Sequence, residues 1–363
     1  MHALAAAVAG NRLNLLLGAA PICWILAATR PGSPWIFITA AVSIVPLAGI
    51  IGLGTDELAH RSGPGWGGFL NATFGNAAEL IIAVVALRQG HVELVKASIS
   101  GSIVGNLLIV LGLSFFIGGV GRRSQKFNRT TATNTAAMLY LAVVALVMPA
   151  VFDLSIYGSL AARPAAIDRL SFWSSVILIV AYLGNLLYAF SVQRDLFRPT
   201  RESEYHARLT TRSAMALLAV GTIFTTIQAE VLVRALQPAL KAFGVSELFV
   251  GVIVIALVGN AAEHYSAIAA ARRDHMTLAV EIAVGSSAQI ALLVAPAIVL
   301  YSFAIGRPMS LLFNPFEIAA ITLSVLATVI DVIDGESNWV EGLQLVAVYL
   351  ILALAFYFVP VSG

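Results

Sequence analysis

The chain has 363 residues, of which 59% are hydrophobic and 11% are charged, with a formal net charge of +2. Soluble domains carry roughly 25% charged residues, so this composition excludes a soluble protein and predicts an integral membrane protein. No basic patch interleaved with aromatic residues points to a nucleic-acid partner, and the single cysteine, Cys23, excludes a disulfide within the chain.

Apolar stretches of spanning length follow one another along the whole chain with short connections. A helix that crosses a membrane needs about 20 mostly apolar residues. The sequence therefore predicts an all-α polytopic membrane protein, with residues 1–363 forming a single transport domain. The eleven predicted transmembrane helices are 13–29, 34–56, 68–88, 93–119, 130–151, 170–193, 213–236, 246–271, 277–303, 314–333 and 339–360.

The first stretch, 13–29, has two interpretations. It follows Arg12 and ends in "LAATR", features that also suit a signal peptide. The short gap before the next stretch favours a retained helix at the periphery of the domain. Thirteen of the 21 Lys and Arg residues then fall on the side of the N-terminus and eight on the other, which predicts a cytoplasmic N-terminus and an external C-terminus.

A pentapeptide, GNAAE, occurs twice inside apolar runs. "GNAAELIIAVVALR" begins at Gly75 and "GNAAEHYSAIAAAR" at Gly259, 184 residues later. The same offset relates "ASISGSIVGNLLIVLGLSF" (97–115) to "EIAVGSSAQIALLVAPAIV" (281–299). The copies lie in the third and eighth predicted helices, so they cross the membrane in opposite directions. This indicates an inverted-topology repeat, which is common in secondary transporters.

The repeat divides the chain into two inverted halves of five helices each, 34–193 and 213–360, joined by a cytoplasmic linker at 194–212. In each copy a glycine, Gly75 or Gly259, precedes the polar residues and weakens the helix there. A break inside the membrane frees backbone carbonyl groups, which is tolerated where they line a cavity. The predicted substrate site therefore lies where the breaks meet, near the midplane.

The polar residues of the repeat have the chemistry of a cation site. Asn76 and Glu79 share one helix face, as do Asn260 and Glu263, because residues three apart are neighbours. Intramembrane glutamates are costly and mark ion or proton paths, although a buried helix–helix contact is the structural alternative. Two carboxylates balance one divalent cation, and an all-oxygen shell suits Ca²⁺. The ion is predicted as a transported substrate, and no cofactor is expected.

Protons are predicted to compete with the cation for Glu79 and Glu263. Two carboxylates close together in low dielectric cannot both stay ionised without a cation, so protons would expel the ion and the ion would expel protons. His264 is a candidate for the proton relay, since histidine titrates near neutral pH. A structural hydrogen bond is the alternative role for this side chain.

Further polar residues lie in the neighbouring helices. Five of them are candidates for the wall of the cation pathway or for helix packing, namely Ser102, Asn106, Ser286, Ser287 and Gln289. Glu57 and Glu230 belong to the first helices of the two halves and are predicted at the two entrances. For Glu57 a solvated helix end is the alternative.

Four stretches resemble the CAX-type Ca²⁺/H⁺ exchangers of the calcium/cation antiporter superfamily. They are "NATFGNAAELIIAVVALRQG" (71–90), "SISGSIVGNLLIVLG" (98–112), "VGNAAEHYSAIAAARRDHMTLAVEIAVGSSAQIAL" (258–292) and "DGESNWVEGLQLVAVYLILALAFYF" (334–358), and "PLAGIIGLGTDELA" (46–59) also fits. The resemblance implies eleven helices, a cation held between Glu79 and Glu263 beside Asn76 and Asn260, and proton-driven Ca²⁺ export by alternating access.

The chain departs from some members of that family. It carries no long N-terminal extension, and its linker 194–212 contains more Arg than acidic residues. Compact members of this kind are prokaryotic, which favours a plasma membrane over a vacuolar one. The expected partners are Ca²⁺, protons and the lipid bilayer, and both a monomer and a homo-oligomer stay open.

Three other functions are alternatives to Ca²⁺/H⁺ exchange. A Na⁺-coupled Ca²⁺ exchanger uses the same carboxylate and carbonyl ligands. An intramembrane enzyme is the most remote alternative, because "GLGTD" (52–56) matches an intramembrane aspartyl protease motif only imperfectly. A passive channel suits two glutamates that close on one ion less well than alternating access does.

Overall fold

The computed structural model describes residues 12–158, 165–191 and 209–360, so most of the predicted linker lies outside the described residues. These residues are almost entirely helical. One addition to the predicted all-α class is a pair of two-residue antiparallel strands, β1 (Gln125–Lys126) and β2 (Glu336–Ser337).

The helices follow one another in the order that the hydropathy predicts, with some elements divided. After a 3₁₀ turn (Arg12–Gly18) they are α1 (Ala19–Thr29), α2 (Trp35–Phe74), α3 (Ala77–Arg88), α4 (Val92–Val104), α5 (Leu111–Gly119), α6 (Arg129–Tyr157), α7 (Ala165–Ser191), α8 (Thr211–Arg234), α9 (Leu236–Phe243), α10 (Glu247–Phe249), α11 (Ala256–Gly259), α12 (Ala261–Arg272), α13 (Met276–Gln289), α14 (Ala295–Ala304), α15 (Pro315–Val332) and α16 (Trp339–Tyr357).

Eight helices of the described residues are long and apolar enough to cross a membrane, and a ninth is reached if Leu236–Phe243 and Glu247–Gly259 are taken together. Residues Leu13–Thr29 form a shorter apolar helix, of which the first turns are 3₁₀ rather than α. The protein is therefore a helical integral membrane protein. The predicted stretches 68–88 and 246–271 fall outside the eight because both are interrupted.

Helix α2 is not straight, although its 40 residues have continuous helical hydrogen bonding. A Cβ built on Gly67 would lie 2.5 Å from the carbonyl oxygen of Ala59. Residues eight apart in a straight helix are separated by about 12 Å. The chain therefore turns back between these two residues, which agrees with the separate helices predicted at 34–56 and 68–88.

Both copies of GNAAE interrupt their helices at matching positions. Helix α2 ends at Phe74 and α3 begins at Ala77, while α11 ends at Gly259 and α12 begins at Ala261. The predicted breaks are confirmed, and Asn76 and Asn260 are the residues that stand at them.

Segments of π-helix also occur at matched positions of the repeat. One occupies Gly105–Val110 between α4 and α5, and another occupies Ile290–Val294 between α13 and α14. The 184-residue offset places them within one residue of each other. A third π segment, Val250–Ile255, precedes α11. Such segments leave backbone groups outside the α-helical ladder and are frequent at functional sites.

The chain divides into two compact units that do not follow the predicted halves. The first unit comprises Met1–Gly90, Leu183–Val245 and Val258–Ala262. The second comprises His91–Tyr182, Ser246–Leu257 and Glu263–Gly363. Each unit therefore takes helices from both halves of the sequence.

Polar residues at helix N-termini explain where several helices begin. Asn314 and Asn338 each form a capping box, with Glu317 and Glu341 respectively, at the start of α15 and α16. These side chains satisfy the backbone N–H groups that a first helical turn leaves without intrahelical partners. Thr210 caps α8 in the same way by accepting from the N–H of Ser213. Helix α8 accordingly starts two residues earlier than predicted.

Small residues bring two helical segments of the second unit into close contact. A Cβ on Gly101 of α4 would overlap the backbone of Val252, and a Cβ on Gly251 would overlap the side chain of Ala97. Membrane helices use such residues because they gain stability from close backbone approach. At Gly285, which the repeat matches to Gly101, an added Cβ would meet no atom within 4 Å.

These matched glycines predict opposite effects of the same substitution. We expect Gly101→Ala to lower the free energy of unfolding by about 1–3 kcal/mol, because the added methyl group must push the segments apart. Gly285→Ala should be neutral or stabilising by up to about 1 kcal/mol through helix propensity. Thermal unfolding of both variants in detergent measures the difference, and equal melting temperatures would contradict the close contact at Gly101.

Candidate functional site

In the first unit, Glu79 of one repeat copy contacts the glycine of the other. A Cβ built on Gly259 would lie 3.2 Å from Cγ and Oε1 of Glu79 and 3.3 Å from its Cδ. Glycine leaves room for the carboxylate here, whereas a side chain would crowd it and force it to shift. Asn76 and Asn260, the residues at the two breaks, are 0% and 1% exposed. The structure thus brings Asn76, Glu79, Gly259 and Asn260 into one compact unit.

Gly75 is required for a different reason from Gly259. Its N–H donates to the carbonyl oxygen of Asn71 at 2.7 Å, and a Cβ would lie 2.5 Å from that same oxygen. A side chain therefore does not fit where α2 ends. The two glycines of the repeat both permit a close approach, one to backbone and one to a carboxylate.

In the second unit, Glu263 is half-buried and its Oε2 atom is inaccessible to solvent. The next residue, His264, has its Nε2 atom 3.1 Å from Oδ1 of Asn106. An amide oxygen only accepts hydrogen bonds, so Nε2 carries the proton in this pair. Asn106 lies in the π segment after α4 and is 1% exposed. The geometry supplies the structural hydrogen bond that is the alternative role of His264.

The other predicted pathway residues are also in the second unit. Ser102, Ser286 and Ser287 are buried, and Gln289 is half-buried. The hydroxyl of Ser287 donates to the carbonyl oxygen of Ala283 at 2.9 Å and lies 3.5 Å from that of Ile103. Ile103 follows Ser102 in α4, so Ser287 of the second repeat copy lies beside the backbone of the first copy at this point.

Glu57 is a buried residue and not a solvated helix end. It is 1% exposed, and its Oε2 atom accepts a hydrogen bond from the backbone N–H of Leu209 at 3.1 Å. Arg61, one turn further along α2, donates to the carbonyl oxygen of the same leucine. Together the two side chains bind the backbone of Leu209, two residues before α8 begins.

Glu230, in contrast to Glu57, has an exposed side chain. Its side chain is 50% exposed, and Oε2 lies 3.3 Å from Nη2 of Arg234 one helical turn later. Exposed ion pairs at this spacing contribute little to stability. The two residues predicted at the entrances thus have unlike surroundings.

Several buried polar residues are not predicted from the sequence. Asp153 of α6 and Thr225 and Gln228 of α8 are each 0% exposed. Glu317 is 1% exposed, and its carboxylate accepts from the hydroxyl of Ser100 at 2.7 Å and the N–H of Asn314 at 2.9 Å. None of these positions belongs to the GNAAE repeat, which is the signal that marks the predicted site residues.

The donor set suits a hard cation rather than a soft metal. Among the described residues no group of three or more His, Cys, Asp or Glu side chains could hold a metal ion. Carboxylates, amide oxygens and backbone carbonyls at the two breaks provide oxygen ligands, which hard cations prefer.

These features define a polytopic helical membrane protein with carboxylates beside broken helices, as in secondary transporters. Residues 32–191 and 213–358 match the family described as sodium/calcium exchanger protein. The chain belongs to this family.

Named relatives are similar over nearly the full chain. The Ca²⁺/H⁺ antiporter of Synechocystis sp. is 40% identical over 350 residues, which cover 91% of this chain and 92% of the relative. The Ca²⁺/H⁺ antiporter ChaA of Bacillus subtilis (strain 168) is 40% identical over 354 residues, covering 96% and 99%. The solved structure of native YfkE superposes with a TM-score of 0.83 at 38% identity, covering 96% of this chain and all of the other.

The unlike surroundings of Glu57 and Glu230 predict unequal effects of losing each carboxylate. We expect Glu57→Leu to lower the free energy of unfolding by about 1–3 kcal/mol, because the buried N–H of Leu209 loses its acceptor. Glu230→Leu should change it by less than about 0.5 kcal/mol. Thermal unfolding in detergent compares the two, with Glu57→Gln as a variant that keeps an acceptor. Similar losses for both leucine variants would contradict the assigned role of Glu57.

Proposed function

We propose that this protein is a secondary antiporter that exports Ca²⁺ from the cytosol in exchange for protons. The observation that carries the proposal is the paired GNAAE motif at two helix breaks, with Glu79 packed against Gly259 of the other copy. The names of the relatives, Ca²⁺/H⁺ antiporters at 40% identity, support it. The protein is a transporter and not an enzyme.

The cation is proposed to bind to Glu79 and Glu263, with Asn76 and Asn260 as neutral ligands. Two carboxylates balance the charge of one Ca²⁺, and the backbone carbonyls beside Gly75 and Gly259 add oxygen atoms toward the six to eight that Ca²⁺ takes. Both asparagines are buried at the helix breaks of the two GNAAE copies, which supports this assignment. Other divalent cations with hard character would use the same ligands.

Proton coupling is proposed to arise from competition for the same two glutamates. Without the cation, two ionised carboxylates in a medium of low dielectric repel each other and are poorly solvated. Protonation relieves both costs and removes the charge that holds Ca²⁺. His264 is proposed to hold Asn106 in place through its hydrogen bond to Oδ1, and a relay through its ring stays a prediction.

The remaining parts of the proposal concern architecture and location. We propose eleven transmembrane helices, with inverted halves at 34–193 and 213–360 that alternate access to the site. The first helices of the halves, which carry Glu57 and Glu230, act as gates. The protein is integral to the membrane, with the N-terminus proposed in the cytoplasm of a prokaryotic cell. The matched breaks and matched π segments support the repeat.

The first experiment is ⁴⁵Ca²⁺ uptake into proteoliposomes under an imposed pH gradient without Na⁺. We expect the wild type to concentrate Ca²⁺ and to stop when the gradient is dissipated, because protons drive the exchange. Glu79→Gln and Glu263→Gln should abolish uptake, since each removes half of the charge that balances the ion. Glu93→Gln is the matched control and should transport normally, because this glutamate is exposed and lies outside the proposed site and gates.

Three results would count against this proposal. Uptake that requires Na⁺ would identify the Na⁺-coupled exchanger instead. Downhill flux with no accumulation would indicate a channel. Normal transport by either site variant would make that glutamate a structural residue.

The contact between Gly259 and Glu79 gives a separate prediction. We expect Gly259→Ala to raise the KM for Ca²⁺ by about tenfold, because the methyl group displaces the carboxylate, and a tenfold change corresponds to about 1.4 kcal/mol. Gly285→Ala is the control, since its added methyl group meets no atom within 4 Å. Concentration dependence of ⁴⁵Ca²⁺ uptake measures both values. An unchanged KM in Gly259→Ala would show that the contact does not affect binding.

A further inference from the structure

Helix α8 carries two buried polar side chains that the proposed site does not use. Thr225 and Gln228 are both 0% exposed, and their three-residue spacing puts them on one helix face. The hydroxyl of Thr225 and both amide atoms of Gln228 have no hydrogen-bond partner among the residues that the structure describes. The adjacent Thr226, by contrast, donates to the carbonyl oxygen of Thr222 at 2.8 Å.

Such groups are unfavourable unless something else satisfies them. Burying a polar group without a partner costs free energy, and the membrane interior offers no water in exchange. Methionine and valine have nearly the same size and shape as glutamine and threonine, respectively, and carry no such cost. A purely structural role therefore does not account for a glutamine and a threonine at these positions.

The contacts between α8 and α2 in the first unit show which residues of α2 lie at the same height along the helix axis as Thr225 and Gln228. Gly54 of α2 lies against Leu218, where a Cβ would be 3.0 Å from its backbone nitrogen, and Gly221 lies against Ile51, at 2.8 Å from its Cγ1. The two helices are therefore antiparallel in this region. Thr225 of α8 therefore lies at the same height along the helix axis as the α2 residues just before Ile51.

That stretch of α2 adjoins the second repeat copy. A Cβ on Gly49 would lie 3.9 Å from Cβ of Ala262, which is part of GNAAE. Helix α8 also packs against α3, the helix that carries Glu79. Thr225 and Gln228 thus belong to the same unit as the breaks at Asn76 and Asn260, and the antiparallel register places Thr225 about half a helical turn, and Gln228 about one and a half turns, from the level of Gly49.

We propose that Thr225 and Gln228 are cation-pathway residues that supply neutral oxygens to Ca²⁺ and its remaining water molecules next to the glutamate site. Hydroxyl and amide oxygens are hard neutral ligands, and the amide NH₂ group can hold water oxygens at the same time. Neutral ligands replace hydration water without adding negative charge. They therefore lower the free-energy cost of moving the partly dehydrated ion, while the carboxylates provide the tight binding. This inference rests on the proposed function.

The test compares stability with transport in Gln228→Met and Thr225→Val. Because each change removes a buried polar group, we expect melting temperatures in detergent equal to or above that of the wild type. In proteoliposomes with an imposed pH gradient, we expect the KM for ⁴⁵Ca²⁺ to rise by about fivefold or more. Thr226→Val, on the neighbouring position of the same helix, should leave the KM unchanged.

Each other outcome overturns the inference. A KM within about twofold of the wild type in both variants would mean that the side chains do not contact the ion or its water. A clear loss of melting temperature in both would mean that they have structural partners. Failure of the wild type to exchange Ca²⁺ for protons would overturn the proposed function instead, and the wild-type measurement separates that result from the first two.

Discussion

The interruption of a membrane helix in front of a carboxylate is the constraint on which the rest of this structure depends. Lipid satisfies no backbone hydrogen bonds, so an interrupted helix is stable only where protein or ligand groups take over. Both GNAAE copies interrupt their helices at the asparagine. Gly259 carries no side chain, which leaves room for the carboxylate of Glu79. The sequence repeat thus specifies both the break and the space beside it.

Equal sequence does not produce equal surroundings in the two copies. Gly101 is in tight contact with the backbone of Val252, whereas the matched Gly285 has open space. Gly75 approaches a carbonyl oxygen, whereas the matched Gly259 approaches a carboxylate. In alternating access, matched parts of an inverted repeat exchange their surroundings. Unequal packing at the matched glycines therefore supports the proposed alternating access, with this structure as one state of the cycle.

Much of the fold could be predicted from hydropathy, because apolar length and short connections leave few alternatives to membrane helices. The breaks at Asn76 and Asn260 were predictable as well, since glycine followed by polar residues disfavours a continuous apolar helix. The division of the predicted helix 246–271 into a π segment and the three helices α10, α11 and α12 was not. Such irregularities follow from packing between segments far apart in sequence, as with Gly251 and Ala97.

Some site residues can be recognised from a nearby sequence motif, whereas others can be recognised only from contacts with residues far away in the sequence. Glu79 and Glu263 stand out in the sequence because their motif is repeated. The burial of Glu57 could not be read locally, since its partner is the backbone of Leu209, 152 residues later. Gln228 and Thr225 carry no motif and are recognisable only from their complete burial on one face of α8.

Some buried polar groups of the described residues have hydrogen-bond partners and others have none, and this difference bears on their roles. In the second unit, Glu317 accepts from Ser100, and the buried Lys96 donates to the carbonyl oxygen of Leu312 at 2.8 Å. Such a satisfied network ties α4 to the start of α15 and favours one fixed arrangement. The polar face of α8 lacks partners of this kind among the described residues. The proposed role of Thr225 and Gln228 in the cation pathway accounts for this difference, because groups that contact a passing ion cannot keep fixed hydrogen-bond partners, whereas the groups around Glu317 keep theirs.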